Sequence, residues 1–217
     1  MKRIVFLLAI ISGFTHIQAQ GFNIGVYTEP QVAWLTSDEG SVIPSGSVIN
    51  LNTGLEFDFF FMRNYAFTVA LNLNNQGGKM HYTDSVQFTQ TNTTLEVPPN
   101  NILKHNFQYV GVPIGLKLKT EEMGYTTFYI HGGLNPLFNT RATTSSEDLG
   151  FVRENIKPET NSFSMNYFAE IGVEYRLAGN TAVVGGIKWS AGFNDVTKND
   201  FANNNLNSIA LHLGILF

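Results

Sequence analysis

Apolar and polar residues alternate one for one along eight segments of this chain, at 22–35, 48–62, 65–76, 106–119, 125–138, 161–177, 181–193 and 206–217. Successive side chains of a strand point to opposite faces, so runs of this length predict strands and do not fit the spacing of an amphipathic helix. In 161–177, Phe163, Met165, Tyr167, Ala169, Ile171, Val173 and Tyr175 share one face. Ser162, Ser164, Asn166, Glu170, Gly172, Glu174 and Arg176 share the other. The connections alternate too. Tight turns are expected at 63–64, at 121–124 ("EEMG") and at 177–180 ("LAGN"), whereas 36–47, 77–105, 139–160 and 194–205 are long and polar. This describes an all-β, eight-stranded, antiparallel up-and-down barrel with both termini at the short-turn end.

Alternation alone leaves open which face meets water. A soluble barrel that carries a lipophilic ligand turns its apolar face inward. A transmembrane barrel turns it outward, because lipid wets its exterior and every backbone group must pair within the closed sheet. Three features favour the membrane. The polar faces carry Gly and Asn more than Lys or Glu, which suits a narrow interior. Aromatic residues gather at strand ends, with Phe57, Phe59, Phe61, Tyr65, Phe67, Tyr175 and Phe217 near the short turns and Trp34, Phe138, Phe163, Trp189 and Phe193 near the long loops. Aliphatic residues such as Leu51, Leu71, Ile114, Ile130, Ile171 and Leu211 lie between these girdles, which match the two interfaces of a bilayer. The chain also ends on an outward-facing Phe217, after strands whose Leu213 and Ile215 share that face; these three residues are expected to form a C-terminal assembly signal for the barrel-assembly machinery.

The opening "MKRIVFLLAIISGFTHIQAQ" has the layout of a cleaved secretory signal peptide, with cleavage expected after Ala19 or Gln20. The expected division is therefore a signal peptide at 1–19 and an outer-membrane barrel domain at 20–217, with the termini in the periplasm. Without Lys2 and Arg3 the chain carries 11 basic against 17 acidic residues, which argues against a nucleic-acid partner. It has no Cys, so neither a disulfide framework nor a lipid anchor on Cys is available. Charged residues make up 14% of the sequence, against roughly 25% in soluble domains.

The inward set is expected to hold Glu29, Glu56, Asp58, Glu170 and Glu174 against Lys117, Lys119, Arg176 and Lys188, with His131 and His212. Eight strands enclose a lumen that side chains just fill, and buried charges must pair, so a structural salt-bridge network is favoured over an ion path. Ser190, His212 and Glu170 also point inward, yet nothing in the sequence brings them together as nucleophile, base and orienting group. His131 and His212 lack a fixed metal-ligand spacing, and the Gly pairs at 77, 132 and 185 lack the context of a phosphate loop. No catalytic residue, metal or cofactor is assigned. The loops are the expected seat of any specific task; in the second, Met80, Tyr82, Val86 and Phe88 are positioned to extend the hairpin above the membrane.

The segments "FQYVGVPIGLKLK", "GYTTFYIHGGLNPLF", "GVEYRLAGNTAVVGGIKWSAGFNDV" and "LHLGILF" resemble the PorT-like outer-membrane β-barrel family, most strongly over 106–217. The resemblance implies an eight-stranded barrel in the outer membrane of a Gram-negative bacterium and, from one member, a part in a secretion system. The expected role is structural or adhesive, through the outer loops, with outer-membrane lipid and an extracellular or secretion-system component as partners. The alternatives are a small passive channel, an accessory secretion component and a lipid-modifying enzyme.

Overall fold

Antiparallel pairing runs from stave to stave until the last strand meets the first. The computed structural model describes residues 21–38, 40, 42–89, 94–146, 148–197 and 204–217; the expected signal peptide lies outside them. The strands are β1 (Gly21–Ser37), β2 (Val42–Gly46), β3 (Val48–Met62), β4 (Tyr65–Tyr82), β5 (Val86–Thr89), β6 (Thr94–Val97), β7 (Asn101–Gly111), β8 (Ile114–Lys119), β9 (Thr126–Ser146), β10 (Phe151–Asn155), β11 (Phe163–Ala178), β12 (Thr181–Gly192) and β13 (Asn204–Leu216). β1 pairs with both β3 and β13, and the ladder continues through β4, β9, β11 and β12 back to β13. β7 and β8 each pair with β4 and β9, so they form one stave interrupted at Val112–Pro113, and the ring has eight staves. Pro113 lacks an N–H, but its carbonyl accepts from Ala70 at 2.8 Å and its neighbour Val112 donates to Pro136 at 3.0 Å.

Closure is completed at the short-turn end, where Phe217 donates its N–H to Ile24 at 2.8 Å and accepts from Ile24 at 3.2 Å. The tight turns fall where turn chemistry places them. Arg63 and Asn64 form one, and Gly124 and Gly179 supply left-handed backbone, at φ 69° and 58°, to the other two. Inside the barrel, the Tyr129 ring lies where a side chain at Gly172 would sit, 2.5 Å from the position of an added Cβ. Gly172 stands opposite Tyr129 on the neighbouring stave, so its lack of a side chain lets the ring lie flat against the wall.

The outward residues form a continuous apolar belt. It includes Leu71 and Leu73 on β4, Ile114 and Leu116 on β8, Ile130 and Phe138 on β9, Ile171 on β11, Ile187 on β12 and Leu211 on β13, all exposed. Aromatic contacts mark both edges: Phe22 lies over Phe57 and Phe59 near the short turns, and Tyr167 contacts Trp189 at 5.3 Å and Phe193 at 4.9 Å near the long loops. These are the girdles expected from the sequence.

β4, β7 and β9 run further than the alternation predicts, because along them the pattern inverts. Below Leu73 the outward residues of β4 are apolar; beyond it they are Asn75 and Lys79, while the inward Met80 and Tyr82 are apolar and buried. β7 does the same, with Lys104, Asn106 and Gln108 outward and Leu103, Phe107 and Tyr109 inward. The segments at 77–105 and 139–160, expected as loops, are thus largely strand, built like a soluble barrel on top of a membrane one. Met80 and Tyr82 do extend the hairpin but face inward, and Val86 belongs to the small β5–β6 hairpin. The side chain of Phe88 lies outside the described set. In β9 a bulge at Thr140 shifts the register, so that beyond it Ala142 and Thr144 point inward while Arg141, Thr143 and Ser145 point out.

Candidate functional site

The alternation that builds the staves also delivers ionisable groups to the lumen, where they meet in layers. Nearest the short turns, Lys119 bonds Glu174 at 2.8 Å, reaching from β8 past β9 to β11. Above it, Lys117 bridges Glu56 and, at 2.9 Å, Asp58, both on β3, across the intervening β4. Thr68 of that intervening stave donates to Asp58 at 2.9 Å. Deeper still, Lys188 of β12 reaches past β13 to Glu29 at 2.9 Å, and His212 of β13 meets the same carboxylate oxygen at 3.0 Å. Glu170 accepts from Tyr129 and lies 3.8 Å from His212 and 3.7 Å from His131. Each lysine therefore ties staves that are not neighbours. Asp58, Glu29, Lys117 and Glu170 are among the most deeply buried polar residues described, and the ammonium of Lys188 also sits 4.7 Å over the Phe168 ring.

One member of the expected inward set lies elsewhere. Arg176 sits at the short-turn rim, half exposed, and bonds Glu122 of the turn at 2.6 Å. Alternation puts it on the inward face, but at a strand end that face opens to the rim. Leu213, Ile215 and Phe217 are outward and exposed at the end of the chain, with Phe217 zipped to β1.

The carboxylates of Glu29 and Glu170 and a ring nitrogen of His212 lie within 4.8 Å of one another, close enough to hold a metal ion. The donor set does not favour one. The Lys188 ammonium already occupies the shared Glu29 oxygen, and a metal cation would have to displace a positive charge that balances the site. His131 and His212 do not form a ligand pair; each serves Glu170 from its own side. Ser190 stands level with Ser208 on β13, whereas His212 stands level with Gly186. That offset along the strand is about 13 Å, so the two make no nucleophile–base contact.

Beyond the charge layers the lumen closes over with side chains the sequence reading did not single out as a unit. Leu35, Met80, Tyr82, Leu103, Phe107, Tyr109, Leu137 and Leu206 form a buried apolar cluster inside the long-loop end. The Tyr82 hydroxyl lies 2.9 Å from Nε2 of His105 within it, and burial pushes the His105 imidazole down to about 4, so it is neutral near pH 7. The available signal was the inward phase of the stave made by β7 and β8, which changes from Gly115 and Lys117 on β8 to Phe107 and Leu103 on β7 without losing step.

A closed eight-stave sheet with an apolar exterior and a charged interior defines an integral membrane β-barrel. The sequence matches the family described as "Outer membrane protein beta-barrel domain" over residues 18–198, and the chain belongs to that family. No curated protein matches the sequence. Among solved structures, the chain is similar to Neisserial surface protein A (NspA), at 13% identity and a TM-score of 0.53 over 91% of this chain and 96% of that one. It is also similar to the outer membrane protease OmpT from Escherichia coli, at 8% identity and a TM-score of 0.50 over 92% and 97%. At such identities the likeness is one of fold.

Proposed function

We propose that this chain is a PorT-like outer-membrane barrel that acts through the surface at its long-loop end, as a structural or adhesive element, without catalysis. In this reading the signal peptide is cleaved, the termini lie in the periplasm, and the barrel-assembly machinery inserts the chain by its terminal Leu213, Ile215 and Phe217. The observation that carries it is the filled lumen, in which ion pairs span the staves and the apolar cluster around Phe107 closes the outer end. An interior occupied in this way favours the outer strands and loops as the surface that engages a partner.

Planar-bilayer recording of the purified protein tests this. The expected result is no steady conductance, with no change in Lys188→Gln or Glu170→Gln. A steady conductance that tracks those two substitutions would replace the surface role with that of a small channel.

A further inference from the structure

Lys79 of β4 and Lys104 of β7 stand directly opposite each other on neighbouring strands, both outward and both exposed. Like charges so placed repel, and no ion pair relieves either of them among the described residues. They line one wall of a groove of about 1100 Å³ on the outer side of the β4–β7–β9 extension, together with Arg141 and Arg153. Two backbone irregularities direct those arginines. The bulge at Thr140 turns Arg141 outward, and Arg153 holds a left-handed backbone at φ 58°, unusual for a non-glycine residue, with its N–H bonded to Ser145 Oγ at 2.9 Å. Apart from the lumen and the short-turn rim, the described basic residues are Lys79, Lys104, Arg141, Arg153 and Lys157, and all but Lys157 line this groove. Asp148 is the one acidic residue in the same lining and is ion-paired with none of the four, so in a chain of net negative charge the groove carries four cations against one carboxylate, which marks an anion site.

Its height identifies the anion. The continuous apolar belt on these strands ends at Leu73, Val110 and Phe138, with Ile102 the one apolar outward residue of β7 beyond it, and that end of the belt sets the edge of the hydrocarbon. Arg141 stands opposite Gln108, one outward position past Val110, at the level of the first head-group atoms. Lys79 and Lys104 lie a further two outward positions on, about 15 Å above the edge after allowing for strand tilt. A simple phospholipid presents its phosphate within roughly 5–8 Å of the hydrocarbon. Cations spread over the greater height fit a lipid whose phosphoryl groups lie both at the acyl boundary and on sugars beyond it. We infer that this face binds a phosphorylated glycolipid of the leaflet at the long-loop end, with Arg141 on the boundary phosphate and Lys79, Lys104 and Arg153 on phosphates of the outer sugars. Occupancy relieves the Lys79–Lys104 repulsion and clamps β4, β7 and β9 to the membrane surface. The site lies on the strand wall and does not depend on what the loops dock to, nor on whether the lumen conducts.

The full-length mature protein in zwitterionic lipid nanodiscs tests the assignment, with three probes: lipid A bearing its phosphorylated core sugars, the same glycolipid after phosphatase treatment, and inorganic pyrophosphate. Wild type should bind the phosphorylated glycolipid at least about tenfold more tightly than the dephosphorylated one, with affinity falling as salt rises. Lys104→Gln and Arg141→Gln should each weaken that binding by about tenfold, and Lys157→Gln should leave it unchanged. Fold and binding are separated by a second readout of opposite sign: in glycolipid-free detergent, Lys104→Gln should unfold at a urea concentration equal to or above that of wild type. Equal binding of the two glycolipids, or binding insensitive to both substitutions, would overturn the assignment. Pyrophosphate binding as tightly as the glycolipid would overturn the lipid and give the groove to a soluble anion.

Discussion

Replacing Lys117 by Met should lower the free energy of unfolding by about 3–5 kcal/mol, the largest effect expected of any single lumen substitution. Lys117 is 2% exposed and holds Glu56 and Asp58, which project from the same face of β3. Without the ammonium, two carboxylates one turn of the pleat apart remain buried side by side, with Thr68 still fixing Asp58 in place. Methionine fills the space, so the loss measures charge and not cavity. Adding Glu56→Gln and Asp58→Asn to the same chain should recover most of the loss, because neutral amides need no counter-charge. The exposed pair Arg63–Glu121 supplies the contrast, and Arg63→Met should change stability by no more than about 0.5 kcal/mol. Urea midpoints read at constant slope, with the two tryptophans as reporters, provide the comparison. A Lys117→Met barrel as stable as wild type would mean that the lumen charges are not a structural network.

The second large effect concerns the exterior. Ile171 is outward, close to the midpoint of β11 between Phe163 and Tyr175, and 63% exposed. Ile171→Arg should destabilise the inserted barrel by about 2–4 kcal/mol, since the guanidinium must leave water for hydrocarbon. The same change at Ile102, outward and exposed on β7 but beyond the edge of the belt, should cost no more than about 1 kcal/mol. A soluble barrel would tolerate arginine equally at both positions, so the difference between the two variants carries the test.

The eight staves were legible because their two faces differ in chemistry and their short turns carry Asn64, Gly124 and Gly179. The extensions of β4, β7 and β9 were not, for a physical reason. Past Leu73 and Val110 the exterior solvent changes from lipid to water, the inward and outward roles exchange, and a reading that follows one apolar face loses the strand. The lumen residues were legible as a set, since the period fixes the face. Their partners were not: Lys188 and Glu29 are separated by 159 residues, and the height at which they meet is set by the stagger between staves, which no local pattern encodes. Arg176 shows the same limit at a strand end, where the inward face no longer leads to the lumen. The groove cations were hidden for a further reason, because Arg141 faces outward only through a bulge at Thr140 that the sequence around it does not announce.

Site-directed spin labelling in lipid vesicles bears most directly on the two-solvent account, and the absence of native Cys makes single-site labels simple to place. Labels at Ile171, Ile187 and Leu211 should collide far more often with dissolved oxygen than with a water-soluble nickel chelate, and a label at Lys104 should show the reverse order. Nickel collisions dominating at Ile171, Ile187 and Leu211 would mean that water, not hydrocarbon, bathes the apolar side of the sheet.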